Sequence, residues 1–383
     1  MSTNFFQPTV DFIKTLFRDK TFIPLHEPIF NANEKRYVLN AIESTYVSSV
    51  GEYVNQFEKM MAEIAGTQYA IAIVNGTAAL HMSLILAGVK TGDEVISQAL
   101  TFVATANAIS YQGASPVFID VDNNTMGMSA NNLELFLESN ALKTSEGTYN
   151  KKTNKRIAAC VPMHTFGMPC EIDKIAEICL RWNIPLIEDA AEAIGSRYRN
   201  QPVGSFGKMG VFSFNGNKIV TSGGGGAIVT NDSNIAKLGK HLTTQAKVPH
   251  RWAFNHDYVG YNYRLPNINA ALACAQLEQL DFFIANKREL ANLYSNFFKN
   301  TPFRFIHEPV HSHSNYWLCS ILTANEEDRD AFLQFTNDQG VMTRPIWTLM
   351  HNLPMFSSSI HDGLQNSQNI ANRLVNIPSS VRI

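Results

Sequence analysis

The chain has 383 residues, 45% hydrophobic and 17% charged, which is enough apolar material for one large folded unit plus a smaller one and excludes a disordered chain. Its 31 Lys and Arg against 33 Asp and Glu leave a formal charge of −2 with no basic block, so no nucleic-acid partner is expected and any bound anion needs a local site. No apolar run is long enough to cross a membrane, the start MSTNFFQPTVDFIKTLFRDK lacks the order of a secretory leader, and five cysteines without CxxC spacing point to reduced thiols, so the expectation is a cytoplasmic protein without membrane partner, disulfides or metal.

In chain order, NEKRYVLNAIEST at 33–45 reads as a capped amphipathic helix. Seven short apolar runs follow: AIAIV at 70, EVISQ at 94, PVFIDV at 116, IAACVPM at 157, IPLIEDA at 184, GVFSF at 210 and GAIVTN at 226. Helical patterns stand between them, Thr77 to Gly88 with the apolar density of a buried helix and Glu171 to Trp182 with a period near 3.6. That alternation predicts an α/β fold with a mostly parallel sheet covered on both faces. Residues 140–156, NALKTSEGTYNKKTNKR, read as an exposed polar loop. Beyond Asn262 the pattern changes to long helical stretches, Asn267 to Asn300 and Asn325 to Gln339, separated by extended pieces. The expected division is a large unit over 1–260, with an N-terminal extension at 1–25, and a smaller α+β unit over 261–383.

Several segments carry chemistry. Asn75-Gly76-Thr77 lies between a strand and a helix, where the first backbone N–H groups, of Gly76, Thr77 and Ala78, and the Thr77 hydroxyl would form an anion site. Thr77 could equally be a plain N-cap. Phe102 follows a strand and opens a helix, placed to stack on a flat ring or simply to pack in the core. His164 in PMHTFG follows a strand end and could line a pocket or hold the turn. The apolar strand IPLI ends in Glu188-Asp189, a carboxylate where open α/β sheets place ligand contacts, with Glu192 a few residues on; either acid could instead cap the next helix. Ser213 closes the GVFSF strand, and Lys218 sits in the polar turn before four glycines at 223–226. A surface lysine beside a flexible turn is the plain alternative.

Pyridoxal 5′-phosphate (PLP) needs all of these parts: an amine to form an imine and move protons, an ionised carboxylate at the pyridine nitrogen, a phosphate site and a stacking aromatic. Lys218, Asp189, Thr77 with Ser213, and Phe102 supply them in that order, and Glu192 could reach the ring's 3′-oxygen side. A dinucleotide site fits poorly, because GGGG at 223 lacks the GxGxxG order and NGTAAL has one glycine.

With these residues assembled, the chain resembles the DegT/DnrJ/EryC1/StrS family of sugar aminotransferases, through NGTAAL, TFVATANAI, PMHTFGMPCEID, EDAAEAIGS, GSFGKMGVFSFNGNKIVTSGGGG and GYNYRLPNINAALACAQL. The resemblance implies the type I aspartate-aminotransferase fold, a large domain with a mostly parallel seven-stranded sheet between helices plus a small α+β domain. It implies Lys218 as the Schiff-base residue, Asp189 at the pyridine nitrogen, Glu192 covering the ring, and Thr77 and Ser213 on the phosphate. Asn262 would reach the cofactor phosphate of the neighbouring subunit, hence an obligate homodimer with shared sites. Relatives that act as dehydratases carry His in place of the lysine, and Lys218 argues against that branch. The implied reaction moves an amino group from glutamate to a keto group on a nucleotide-linked sugar. The N-terminal run to Glu58 looks most like the subgroup serving legionaminic acid, which aminates C4 of a 4-keto-6-deoxy-N-acetylhexosamine, with UDP ahead of GDP as the carrier. Arg344 and His351 in TRPIWTLMHNLP are candidate sugar or diphosphate contacts. The competing readings are amination at C3 of a 3-keto sugar, and a non-catalytic scaffold of the same fold.

Overall fold

Apolar runs that alternate with helices must pair side by side and be covered on both faces, and that is the arrangement in the computed structural model, which describes residues 5–18 and 20–383. Residues 1–4 and Asp19 of the expected N-terminal extension lie outside the described residues. First come α1 (Gln7–Leu16), α2 (Glu34–Glu43) and α3 (Glu52–Ala65). Alternation then begins with β1 (Tyr69–Ile73), α4 (Gly76–Leu86), β2 (Glu94–Gln98), α5 (Val103–Tyr111), β3 (Ser115–Ile119) and α6 (Ala130–Asn140). It continues through β4 (Ala141–Thr144), β5 (Gly147–Asn150), β6 (Ile157–Val161), α7 (Ile172–Arg181), β7 (Ile187–Asp189), the short β8 (Arg197–Tyr198) and β9 (Gln201–Pro202), β10 (Met209–Ser213), β11 (Gly226–Thr230) and α8 (Ser233–Thr243). The C-terminal part holds α9 (Asn267–Leu277), α10 (Leu280–Phe298), β12 (Arg304–Phe305), β13 (Ser312–His313), β14 (Cys319–Leu322), α11 (Glu326–Asp338), β15 (Arg344–Pro345), β16 (Ile360–His361), α12 (Gln365–Ala371) and β17 (Leu374–Ile377).

Seven strands form one sheet in the order β1-β11-β10-β7-β6-β2-β3, its two halves joined by parallel bridges between Cys160 and Leu186 and between Met163 and Asp189. Only β11 runs against its neighbours β1 and β10. This is the mostly parallel, seven-stranded sheet of the type I aminotransferase fold, with the two-residue β16 added in parallel beside β3. Helices cover it for sequence-legible reasons: α7 turns Ile172, Ile175, Ile178 and Cys179 inward, while α4 is apolar on most sides and buried on most sides. A second, antiparallel sheet, β12-β14-β17-β15, belongs to the C-terminal part.

Three features depart from the pattern reading. Residues 140–156 are no loop: β4 and β5 pair as a hairpin, and Asn150 turns inward to donate from Nδ2 to Glu94 Oε2 at 2.8 Å. Polar residues hid it, because its buried positions are satisfied by hydrogen bonds instead of apolar contact. The helix expected over 267–300 breaks at Glu278 and Gln279 into α9 and α10. Finally, α1 docks on the C-terminal part, with Phe12 stacked on Phe297 at 4.2 Å and Phe6 edge-on to Phe332 at 5.4 Å. All five cysteines are buried and free, and among the described residues no helix is long and apolar enough to cross a membrane.

Candidate active site

The carboxyl ends of β1, β7 and β10 meet the N-termini of α4 and α5, the place where an open α/β sheet leaves a crevice. At β1, Asn75 is the N-cap of α4: its Oδ1 accepts the Ala78 N–H at 2.8 Å. Thr77 is therefore not the cap, and in this structure the Ala78 N–H is donated to the Asn75 side chain. The N–H groups of Gly76 and Thr77 and the Thr77 hydroxyl make no hydrogen bond among the described residues. Gly76 is required here by close approach, since a Cβ on it would lie 2.8 Å from the Ser213 Cβ. The start of the helix and the Ser213 hydroxyl thus form one cradle.

Strand β7 sorts its two acids by alternation. Glu188 faces inward, away from the crevice, and accepts N–H groups from Gly204, Phe206 and Gly207 at 2.7, 2.6 and 2.8 Å, with His164 Nε2 at 3.0 Å. Asp189 faces the crevice. Its Oδ2 accepts from the Thr105 hydroxyl at 2.6 Å and its Oδ1 from the Ala191 N–H at 3.2 Å. Burial pushes its carboxyl above the usual range, opposed by the Thr105 hydroxyl, the Ala191 N–H and Lys218.

Lys218 enters from the turn after β10, with its Nζ 3.1 Å from Glu192 Oε1 and 4.0 Å from the centre of the Trp317 ring. Glu192 is buried, which raises its carboxyl, while Lys218 and the Phe166 N–H, donated to Oε2 at 2.9 Å, pull it back. Phe166 holds a left-handed backbone at φ 55 to make that contact. Phe102, Asp189, Glu192, Lys218, Trp317 and Trp347 line a common cavity of about 290 Å³, together with Thr77 and Ser213. Phe102 is 47% exposed and lies edge-on to Trp347 at 6.0 Å, so core packing is not its role. A wider groove of about 1000 Å³ along Tyr198, Arg199 and Phe303 contains none of these residues.

The other sequence candidates lie elsewhere. His164 is fully buried and does not line the cavity; its ring bridges Glu188 and the Cys170 N–H, 3.3 Å from Nδ1, so it holds the turn. Arg344 is exposed, donating to Asn337 Oδ1 at 2.9 Å, and His351 sits against His361 at 5.3 Å between ring centres; neither is among the cavity residues. Asn262 is exposed and outside the cavity, on the bridge it forms with Thr244. Sequence reasoning missed Thr105, Trp317 and Trp347. Thr105 stands one helical turn past Phe102, and two of the chain's four tryptophans fall in the extended C-terminal segments, which is the signal that could have raised them.

An unpaired helix start with two hydroxyls, a buried carboxylate and an amine on one cavity fit a phosphate, a ring nitrogen and an aldehyde, the three handles of PLP. Residues 28–383 match the DegT/DnrJ/EryC1/StrS aminotransferase family. The chain belongs to that family. It is 39% identical over 358 residues to GDP-perosamine synthase of Escherichia coli O157:H7, covering 94% of this chain and 93% of the relative. It is 34% identical over 360 residues to GDP-perosamine synthase of Vibrio cholerae, covering 93% of this chain and 94% of the relative. Among solved structures it resembles Helicobacter pylori PseC, an aminotransferase involved in the biosynthesis of pseudoaminic acid, with a TM-score of 0.83, 25% identity and 93% of each chain covered. As a member of the DegT/DnrJ/EryC1/StrS family, the protein is a PLP-dependent aminotransferase.

Proposed function

We propose that the protein transfers an amino group from glutamate to C4 of a nucleotide-linked 4-keto-6-deoxy-N-acetylhexosamine, a step toward nonulosonate or other surface glycans. The observation that carries this reading is the Lys218 amine, held by Glu192 on the cavity that Asp189 also faces. Bound PLP supplies an electron sink for the electrons released at the amine-bearing carbon. Lys218 takes the proton from that carbon and returns it on the other side of the reaction. Asp189, fixed by Thr105, would lie toward the ring nitrogen and in its ionised form would favour the protonated ring. Phe102 would cover one face of the ring and Glu192 its 3′-oxygen edge, and the N–H groups of Gly76 and Thr77 with the hydroxyls of Thr77 and Ser213 would hold the phosphate.

Asn262 completes the phosphate site from a second copy of the chain. Its own segment supports this, since Trp252, Phe254, Tyr258 and Val259 are 72, 77, 62 and 83% exposed, an apolar stretch suited to a subunit interface. The carrier nucleotide is GDP or UDP; the name of the Escherichia coli relative supports GDP, which moves ahead of the order read from the sequence.

The test is an absorption spectrum of the purified protein, followed by glutamate and then by the GDP- or UDP-linked 4-keto sugar. Expected are a visible band in the wild type and none in Lys218→Ala, bleaching by glutamate, and recovery with one of the two sugars. Recovery with a 3-keto sugar alone moves the reaction to C3. A wild type that stays colourless with added PLP overturns the reading.

A further inference from the structure

One side chain touches Lys218 at both ends. The indole Nε1 of Trp317 donates to the backbone carbonyl of Asn217 at 2.7 Å, the peptide from which Lys218 hangs, and the face of the same indole lies 4.0 Å from the Lys218 Nζ. Trp317 is buried and is itself fixed, because its backbone N–H donates to Asn315 Oδ1 at 2.8 Å. Asn315 in turn donates from Nδ2 to the carbonyls of Glu192 and Ile194, both at 3.0 Å. Glu192 closes the loop by accepting from Lys218 at 3.1 Å. The circuit leaves little freedom at its edge, since a Cβ on Gly167 would overlap Asn315 Oδ1. Asp189 and His26 are the other titratable groups near the amine.

We propose that Trp317 is a positioning residue for Lys218, and that its ring face and Glu192 together form the seat of the lysine amine whenever it is not bonded to the cofactor. An ammonium group is attracted to the face of an indole, and the carboxylate holds it from the other side. The seat keeps the amine in place between its two proton-transfer tasks, and because Trp317 belongs to the C-terminal part, the placement of that part is transmitted to the catalytic lysine. The inference rests on Lys218 carrying the amine chemistry, but its test does not.

In the full-length protein without cofactor, the initial rate of Lys218 acetylation by limiting acetic anhydride, read by peptide mass spectrometry against the exposed Lys174, reports how firmly the amine is held. Trp317→Leu speeds Lys218 acetylation about tenfold and Trp317→Phe, which keeps a ring face but loses the indole N–H, about threefold. Simple uncovering of the lysine would give similar gains, so Glu192→Gln is combined with each. A shared seat predicts that the double variant gains clearly less than the product of the single gains, whereas independent uncovering predicts the full product. Full multiplication, or a Lys218 rate in Trp317→Phe equal to wild type, overturns the proposal. The Phe variants alone decide the matter if Trp317→Leu does not fold.

Discussion

Glu188 and Asp189 are neighbours on one three-residue strand, both fully buried carboxylates, yet the two faces of β7 use them differently. Glu188 is saturated: three backbone N–H groups and an imidazole converge on it, and it ties the 204–207 turn to the sheet. Asp189 has two donors and a cavity in front of it, so part of its capacity to bind a cation is unspent. Burial alone therefore does not mark a functional acid; an incomplete set of partners beside a cavity does. The lysines repeat the lesson. Lys287 is more deeply buried than Lys218 and burial pulls its amine down to about 7, but it donates to the Ser379 carbonyl and among the described residues pairs with no carboxylate, while Lys218 meets Glu192 at the cavity wall.

The largest effect expected of any substitution is on the amine. Lys218→Ala lowers amino transfer by at least about 10³-fold while leaving the melting temperature close to wild type, measured by turnover and by circular dichroism. The two acids then separate by readout. Asp189→Asn lowers kcat by about 10²–10³-fold, the scale of one preorganised electrostatic contact, with little cost in stability. Glu188→Ala does the reverse: it strands three N–H groups and an imidazole in the interior and costs about 3–5 kcal/mol in denaturant unfolding. A Glu188→Ala protein as stable as wild type, or an Asp189→Asn protein that turns over normally, would erase the distinction between the two faces.

Much of this was legible in the sequence, and the reason is physical. Strands buried on both faces must be apolar runs, so all seven sheet strands were read within a few residues of their ends. Lys218, Asp189, Glu192, Thr77, Ser213 and Phe102 share one cavity, and the sequence singled them out because each stands at a strand end, at a helix start or in the turn that follows a strand, where the chain leaves the sheet. What escaped depends on tertiary approach. The side of β7 on which His164 lies follows from its contact with Glu188, which no spacing encodes. Trp317 and Trp347 reach the cavity from a part of the chain more than a hundred residues downstream of Asp189, and the buried Asn150 in the β4–β5 hairpin looked like loop because its partner, Glu94, belongs to a distant strand.

The smallest effect falls on Thr105, whose hydroxyl is the shortest contact to Asp189. Because burial raises the Asp189 carboxyl, the folded protein binds that proton more tightly than the unfolded chain does. Its contribution to stability is therefore full below the ordinary aspartate range and is lost as pH rises through the raised value, above which a charged, partly satisfied group has to be carried. Thr105 lessens that burden by donating to the ionised form. Thr105→Val removes the donor at nearly constant volume, so in the cofactor-free protein it should cost about 1.5–3 kcal/mol near neutral pH. Near about pH 4 and below, where more of Asp189 is protonated, the cost should shrink. Denaturant unfolding of both proteins at the two pH values checks this. A penalty that does not change with pH would mean that the hydroxyl serves packing alone, and that Asp189 keeps its orientation without it.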